Sequence, residues 1–161
     1  CRYFTYSTEF VIWARKSAKV PHYYNYDLMR RVNGDKQMTD VWHLPAIARW
    51  EKSCGKHPTQ KPLALLARIL MASTKPGEWV LDPFCGSSTT GIAANLLDRR
   101  YLGIDQEQKY LEISKNRREE LEDQQTYQMY HSKIKDIQSM GSLYSSIVKE
   151  DSDITYGDLP F

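Results

Sequence analysis

No stretch of the sequence approaches the roughly 20 consecutive apolar residues of a membrane-spanning helix, and no secretory signal pattern is visible in it. Cysteine is scarce as well: Cys1, Cys54 and Cys85 have no metal-ligand spacing, and their odd number fits a reducing compartment. With 161 residues, 41% of them hydrophobic, and a mean hydropathy of −0.61, the chain suits one domain with its own core. We therefore expect a soluble cytoplasmic protein that needs neither a membrane nor a metal.

The net charge of +2 at pH 7 is too small to indicate a nucleic-acid partner by itself. Aromatic residues, in contrast, are abundant, with 11 Tyr and 4 Trp. Many of them lie in residues 17–56, where basic residues are interleaved with them and no periodicity persists. Such a mixture is typical of a surface that follows phosphates and stacks on bases, but rings in a long solvated loop also pack locally. We predict that residues 17–56 form an irregular target-recognition or linker loop.

The most informative pattern lies at residues 79–91. The apolar run Trp79-Val80-Leu81 predicts a strand buried on both faces, as in a parallel sheet, and residues 88–97 predict a helix. Between them, Gly86 and its small neighbours let the backbone approach a ligand, and the free N–H groups at the start of the helix face the same spot. The pattern predicts a turn that holds a nucleotide-like ligand, although an ordinary strand–turn–helix connection would use similar residues.

Residues 101–105 predict a second buried strand, which ends at Asp105. Ligands of open α/β sheets bind at the carboxyl ends of strands, and an acidic residue about 20 positions after a glycine turn commonly accepts hydrogen bonds from ribose hydroxyls. Asp105 would serve equally well as the N-cap of the helix predicted at 106–122, and the two roles are compatible. We predict that the charged residues of that helix, Arg117 among them, form a solvated surface.

Apolar residues three and four positions apart predict an amphipathic helix over 62–73. Pro62 suits its first turn, because a proline has no N–H to leave unpaired, and Thr59 or Gln60 is placed to cap it.

The two ends of the chain carry weaker signals. Residues 8–14 are rich in β-branched and aromatic types, which predicts a strand within residues 1–16. Residues 124–161 have weak periodicity and scattered Ser and Asp. We expect them to form a poorly structured C-terminal extension with one loosely docked helix near 126–139.

Two motifs together go beyond a generic turn: HPTQKP at residues 57–62 and DPFCGSSTT at residues 82–90. With Asp105 after them, they make the chain over residues 3–122 resemble the C-terminal half of the β-class DNA amino-methyltransferases, in which the catalytic region precedes the cofactor region. The resemblance implies an α/β, Rossmann-like S-adenosylmethionine-dependent methyltransferase fold whose N-terminal catalytic strands are missing. The cofactor would be bound by residues 57–123.

The resemblance also implies which residues hold S-adenosylmethionine. The first cofactor motif of the family and its acidic ribose ligand match Asp82, Phe84, Gly86, Ser87, Thr89 and Asp105. The motif that closes over the methionine end of the cofactor matches Thr59, Gln60 and Lys61. The Lys61 ammonium is suited to pair with the cofactor carboxylate. Residues 1–16 would supply one strand of the methyltransferase sheet.

The chain departs from the family pattern in two places. Ser88 stands where the family usually has a second glycine, and it would cost roughly 1 kcal/mol if the backbone there is left-handed. The catalytic motif of the family, Asp/Asn/Ser-Pro-Pro-aromatic, is absent, and Asp158-Leu159-Pro160-Phe161 is only a faint echo of it. We therefore assign no catalytic residue and expect a fragment, inactive alone, whose catalytic motif lies upstream of Cys1.

The implied activity is methyl transfer to the exocyclic amine of adenine (N6), favoured here over cytosine (N4), in a restriction-modification system. The substrate would be double-stranded DNA with a flipped target base, and a homodimer is left open. One alternative is a non-catalytic DNA-binding relative that retains the cofactor fold. Another is a dinucleotide-dependent enzyme with the same kind of turn, which the lack of G-x-G-x-x-G disfavours.

Overall fold

The computed structural model describes residue 3 and residues 7–137. Helices and strands follow one another in the order α1 (Tyr26–Val32), a 3-10 helix (Arg49–Lys52), α2 (Leu63–Ser73), β1 (Trp79–Asp82), α3 (Thr89–Leu96), β2 (Arg100–Gly103), α4 (Gln108–Glu120) and α5 (Gln124–Lys133). Within this part of the chain, no helix combines the length and the apolar character needed to cross a membrane.

The centre of the fold is a parallel pair of strands, β1 and β2, joined through α3. Trp79 lies opposite Arg100, and Asp82 lies opposite Gly103. Hydrogen bonds continue the ladder past the strand ends, since the Ile104 N–H donates to the Asp82 carbonyl over 2.9 Å. Parallel strands need a crossover connection, and the helical pattern after Gly86 supplies it. The predicted α/β class is confirmed.

The prediction that the central strand is buried on both faces is wrong. Val80 and Tyr101 pack against the core formed largely by α2 and α3, whereas Trp79, Leu81 and Leu102 are more than half exposed. Side chains along a strand alternate between the two faces of a sheet, and among the described residues helices cover only one of those faces. An apolar run in a strand predicts burial on both faces. Whether both faces are buried depends on other elements that pack against the strand, and these are not part of the run.

The strand predicted over residues 8–14 is not formed. Residues 7–16 have no regular structure, and the side chains of Phe10 and Ile12 are 94% and 90% exposed. A strand is stable only when its backbone groups pair with a neighbour, and in the described part of the chain β1 and β2 pair only with each other.

Residues 17–56 are more ordered than the prediction of an irregular loop. They contain α1, whose Asn25 side chain accepts a hydrogen bond from the Leu28 N–H and whose Met29 is buried in the core. They also contain the 3-10 helix, where the Trp50 ring contacts the Tyr130 ring edge-on at 4.9 Å. At least part of the aromatic content of this segment is therefore used in internal packing.

The helices predicted near 62–73, 88–97 and 106–122 are present within one or two residues of those limits. The C-terminal extension is better packed than predicted as far as residue 137. Its α5 buries Tyr130, and Ile134 and Ile137 join the core. The end of the helix predicted over 126–139 and the rest of the extension, 138–161, lie outside the described residues.

Candidate functional site

The predicted ligand turn has a left-handed backbone at two positions. Gly86 has φ = 51° and Ser88 has φ = 58°, and α3 begins directly after Ser88. The Ser88 N–H donates to the Cys85 carbonyl over 2.7 Å, which closes the turn. Only glycine adopts such φ values without steric cost, so the strain expected at Ser88 is present.

Asp82 ties the two sides of this turn together. One of its carboxylate oxygens accepts the Phe84 N–H at 3.1 Å, and the other accepts the Thr90 hydroxyl at 2.6 Å. The Phe84 ring beyond it is 85% exposed, which leaves an aromatic face available at the rim of the site. The Asp82 carboxylate therefore holds both the backbone before the turn, at Phe84, and the first turn of α3, at Thr90.

Asp105 lies across the turn, after the carboxyl end of β2. Its carboxylate accepts the Gly86 N–H at 2.8 Å and the Glu107 N–H at 2.9 Å. These two backbone donors, Glu107 first, hold the pKa of Asp105 below its ordinary value, so the group is anionic at neutral pH. The N-cap of α4 is Glu107, so Asp105 does not fill the N-cap role considered for it, although its carboxylate holds the Glu107 N–H just before α4 begins. Asp105 remains partly exposed beside the glycine turn.

The HPTQKP motif brings one ring directly over the turn. A Cβ atom built on Gly86 would lie 3.0 Å from His57 Nε2, and the His57 ring contacts the Tyr110 ring with 4.2 Å between centroids. Thr59 is exposed beside it, and its N–H donates to His57 Nδ1 over 3.3 Å. Thr59 therefore contacts His57, and His57 in turn contacts Gly86.

The next two residues of the motif point elsewhere. Gln60 is buried and its Nε2 donates to the Glu51 carbonyl at 2.8 Å, while its Oε1 has no partner among the described residues. Lys61 is exposed and forms a 2.7 Å ion pair with Glu9. The predicted cap of α2 is wrong: the Leu63 N–H donates to the Glu51 carboxylate at 2.8 Å, so neither Thr59 nor Gln60 fills that role.

Two residues of α4 that the sequence analysis did not select contact the turn. The Ser114 hydroxyl lies 2.9 Å from both the Gly86 carbonyl and the Tyr110 carbonyl of its own helix, and Arg117 donates from Nη1 to the Ser87 carbonyl at 2.6 Å. Arg117 is 1% exposed, so its assignment to a solvated surface is wrong. A signal was available, because Tyr110, Ser114, Arg117 and Leu121 follow one another at spacings of four, three and four, which places them on one helix face.

The Arg117 guanidinium also turns the side chains of two predicted cofactor ligands inward. Its Nη1 lies 3.3 Å from the Ser87 hydroxyl and 3.2 Å from the Thr89 hydroxyl, and both residues are buried. Burial lowers the pKa of Arg117, and nearby Tyr130 and Glu51 act against that shift. The pKa of an arginine is high enough that the group keeps its charge, so its hydrogen bonds to the turn are charge-assisted.

A cavity of about 430 Å³ opens behind the turn, between β2, α3 and α4. Cys85 and Ser88 line it on one side and Lys115 and Arg118 on the other, but Phe84 and Asp105 do not line it. Burial raises the pKa of the Cys85 thiol, which keeps it protonated and argues against a nucleophilic role. Among the residues that the structure describes, no group of three or more His, Cys, Asp or Glu is arranged to hold a metal ion.

Replacing Ser88 by Gly is expected to reveal two opposed effects. Glycine relieves the left-handed strain, by roughly 1 kcal/mol, but removes the 3.0 Å hydrogen bond from the Ser88 hydroxyl to the Tyr101 hydroxyl, also worth about 1 kcal/mol. In urea unfolding, Ser88→Gly should leave the free energy of unfolding almost unchanged. In a Tyr101→Phe background, where that hydrogen bond is already lost, it should stabilise by about 1 kcal/mol. Equal effects in both backgrounds would contradict this account.

A parallel strand pair with a glycine turn between two carboxylates places the chain among α/β proteins with a nucleotide-binding type of strand–turn–helix unit. The comparisons with known proteins narrow that class. The N6_N4_Mtase family model, described as DNA methylase, matches residues 1–116. The chain belongs to this DNA methylase family.

Several curated relatives are similar to most of the chain. The Type II methyltransferase M2.MboI of Moraxella bovis is 63% identical over 121 residues, which are 75% of this chain and 44% of that protein. The Type II methyltransferase M2.DpnII of Streptococcus pneumoniae is 58% identical over 120 residues, 74% of this chain and 45% of that protein. The chain spans less than half the length of the curated relatives that it matches.

Two solved structures are similar to part of the chain. The crystal structure of the M1.HpyAVI–SAM complex is 46% identical over 39% of this chain and 33% of that chain, with a TM-score of 0.37. The PvuII DNA methyltransferase, described as cytosine-N4-specific, is 26% identical over 48% of this chain and 29% of that chain, with a TM-score of 0.41.

Proposed function

We propose that the whole protein transfers a methyl group from S-adenosylmethionine to the exocyclic amine of a base in DNA, as the modification enzyme of a restriction-modification system. This chain would supply the cofactor-binding half. The observation that carries the proposal is the turn at residues 86–89, held between Asp82 and Asp105 and covered by His57. Membership of the DNA methylase family and the Type II methyltransferase relatives support it.

The residues present fit S-adenosylmethionine. The anionic Asp105 carboxylate has lone pairs left for ribose hydroxyls, and the exposed Phe84 ring offers a flat apolar surface to an adenine. Gly86 adds no side chain of its own at the left-handed turn, and the His57 ring lies over it. Lys61 would exchange its exposed contact with Glu9 for the cofactor carboxylate. When bound, the cofactor supplies an electrophilic methyl group on a sulfonium centre.

The acceptor side of the reaction needs groups that this sequence does not contain in the family's form. The target base must leave the duplex, because a stacked amine cannot be brought in line with the methyl carbon. Polarising that amine is the role of the Pro-Pro-aromatic motif, which is absent here. We propose adenine N6 as the target ahead of cytosine N4, and we expect the 161-residue chain alone to be inactive.

Calorimetry on the 161-residue chain tests the cofactor part of the proposal. S-adenosylmethionine should bind, and NAD should not. Asp105→Ala should weaken S-adenosylmethionine by about tenfold or more, because it removes the acceptor for the ribose and frees the Gly86 N–H.

Asp123→Ala is the matched control for that experiment. Like Asp105, Asp123 accepts a backbone N–H, that of Thr126 at 2.8 Å, but it is exposed and is the N-cap of α5, away from the turn. It should leave the affinity unchanged. Equal affinities of wild type and Asp105→Ala, or binding of NAD in place of S-adenosylmethionine, would contradict the proposal.

A non-catalytic DNA-binding relative is the second candidate, favoured by the strained Ser88 turn and the missing catalytic motif. The two differ in one assay on the whole protein. Incorporation of tritiated methyl groups into DNA supports the enzyme, whereas a gel shift with DNA and no incorporation supports the binding protein.

A further inference from the structure

Helix α4 holds the turn from behind through two residues, Ser114 and Arg117, which we name the α4 brace. The Ser114 hydroxyl shares its proton between the Gly86 carbonyl and the Tyr110 carbonyl of its own helix, both at 2.9 Å, and Arg117 Nη1 donates to the next carbonyl of the turn, that of Ser87, at 2.6 Å. Being three residues apart, the two side chains project from the same face of α4. Two consecutive peptide groups of the turn are therefore fixed by one helix.

The direction of these bonds determines what the turn presents to its open side. In a trans peptide the carbonyl and the N–H point in opposite directions. Since the brace draws the Gly86 and Ser87 carbonyls toward α4, the N–H groups of Ser87 and Ser88 point away from it. The Ser88 N–H is used within the turn, where it donates to the Cys85 carbonyl. Ser88 itself is left-handed and directly precedes α3.

Stability alone does not explain an arginine at this position. Arg117 is 1% exposed, and within residues 7–137 its Nε and Nη2 atoms have no hydrogen-bond partner. Buried donors without partners are costly, and an apolar side chain of similar volume would avoid that cost. Removing Arg117 would not leave Glu51 without hydrogen-bond partners, because its carboxylate already accepts the N–H groups of Ala48 and Leu63.

We infer that Arg117, assisted by Ser114, is a positioning residue that keeps the turn at residues 86–89 in the conformation that binds the cofactor. The inference rests on the proposed function for the identity of the ligand, S-adenosylmethionine. The brace itself is a property of the free chain. Arg117 acts through the backbone of the turn and does not touch the ligand.

The first test compares Arg117→Met with Arg68→Met in the 161-residue chain. Arg68 is another largely buried arginine, and it pairs with Asp136 at 2.7 Å, away from the turn. Arg117→Met should weaken S-adenosylmethionine in calorimetry by about tenfold or more, and it should lower the thermal midpoint no more than Arg68→Met does. Arg68→Met should lower the thermal midpoint and leave the affinity unchanged. An affinity of Arg117→Met within about twofold of wild type would overturn the inference.

The second test needs no cofactor and uses amide hydrogen exchange. In free Arg117→Met, the Ser88 and Ile92 amides, which are bonded to Cys85 and Ser88 carbonyls, should exchange about tenfold faster than in wild type. Amides of α2 should not change. If Arg117→Met fails to fold, Ser114→Ala takes its place, with faster exchange at Ser88 expected and unchanged exchange overturning the inference. A wild-type chain that does not bind S-adenosylmethionine would refute the proposed cofactor. The exchange rates would still show whether the α4 brace holds the turn.

Discussion

Replacing Gly91 by Ala is expected to destabilise the chain by about 3 kcal/mol, at the upper end of the usual cost of overpacking a core. Gly91 lies in α3, and a Cβ there would clash with the Ser88 hydroxyl oxygen and lie 2.5 Å from the Tyr101 ring. The hydroxyl can rotate away, but the ring is part of β2 and packs against the core, so the strand and the helix must separate. Urea unfolding monitored by circular dichroism measures the loss.

A double-mutant cycle with Tyr101→Ala isolates the steric cause. Once the ring is removed, Gly91→Ala should become neutral or stabilising by up to about 1 kcal/mol, because alanine is the better helix former. Gly77→Ala is the control: its φ of 80° makes alanine strained, but a Cβ there meets no atom within 4 Å. Its cost should be the same with and without Tyr101. A cost of Gly91→Ala that persists in the Tyr101→Ala background would contradict the explanation.

Replacing Glu51 by Ala is expected to lower the free energy of unfolding by about 3 kcal/mol, for a different reason. Glu51 is 5% exposed, and its two carboxylate oxygens accept the Ala48 N–H at 3.0 Å and the Leu63 N–H at 2.8 Å. The Leu63 N–H would be left buried and the Ala48 N–H partly buried without an acceptor, and such a loss costs about 1–3 kcal/mol for a buried donor. The start of α2 would lose the bond that closes it, and Arg117 would lose a nearby negative charge.

Glu78→Ala is the matched control for this prediction. Glu78 also accepts a backbone N–H three residues away, that of Lys75 at 2.8 Å, but it is exposed, so water replaces the lost acceptor. Its removal should cost less than about 1 kcal/mol. Comparable losses of unfolding free energy for Glu51→Ala and Glu78→Ala would contradict the role assigned to burial.

The sequence alone was sufficient for the α/β class, the ranges of the long helices and the glycine turn. These features depend on residues close together in the chain: apolar spacing within α2, or Gly86 and Ser88 at the end of β1. The family membership was also readable, because HPTQKP and DPFCGSSTT are contiguous motifs. Such short-range patterns can be recognised in a sequence without knowing which other residues pack against them.

The tertiary structure decided which polar residues are buried and what the motif residues contact. Arg117 reaches the Ser87 carbonyl across 30 residues, and Glu51 reaches the Leu63 N–H across 12. Neither contact is encoded by local spacing, since each depends on where two separate elements meet. The same holds for the open face of the sheet, because the burial of Trp79 depends on neighbours that β1 does not itself supply. Periodicity thus predicted α2, α3 and α4, whereas packing between separate elements determined the support of the turn.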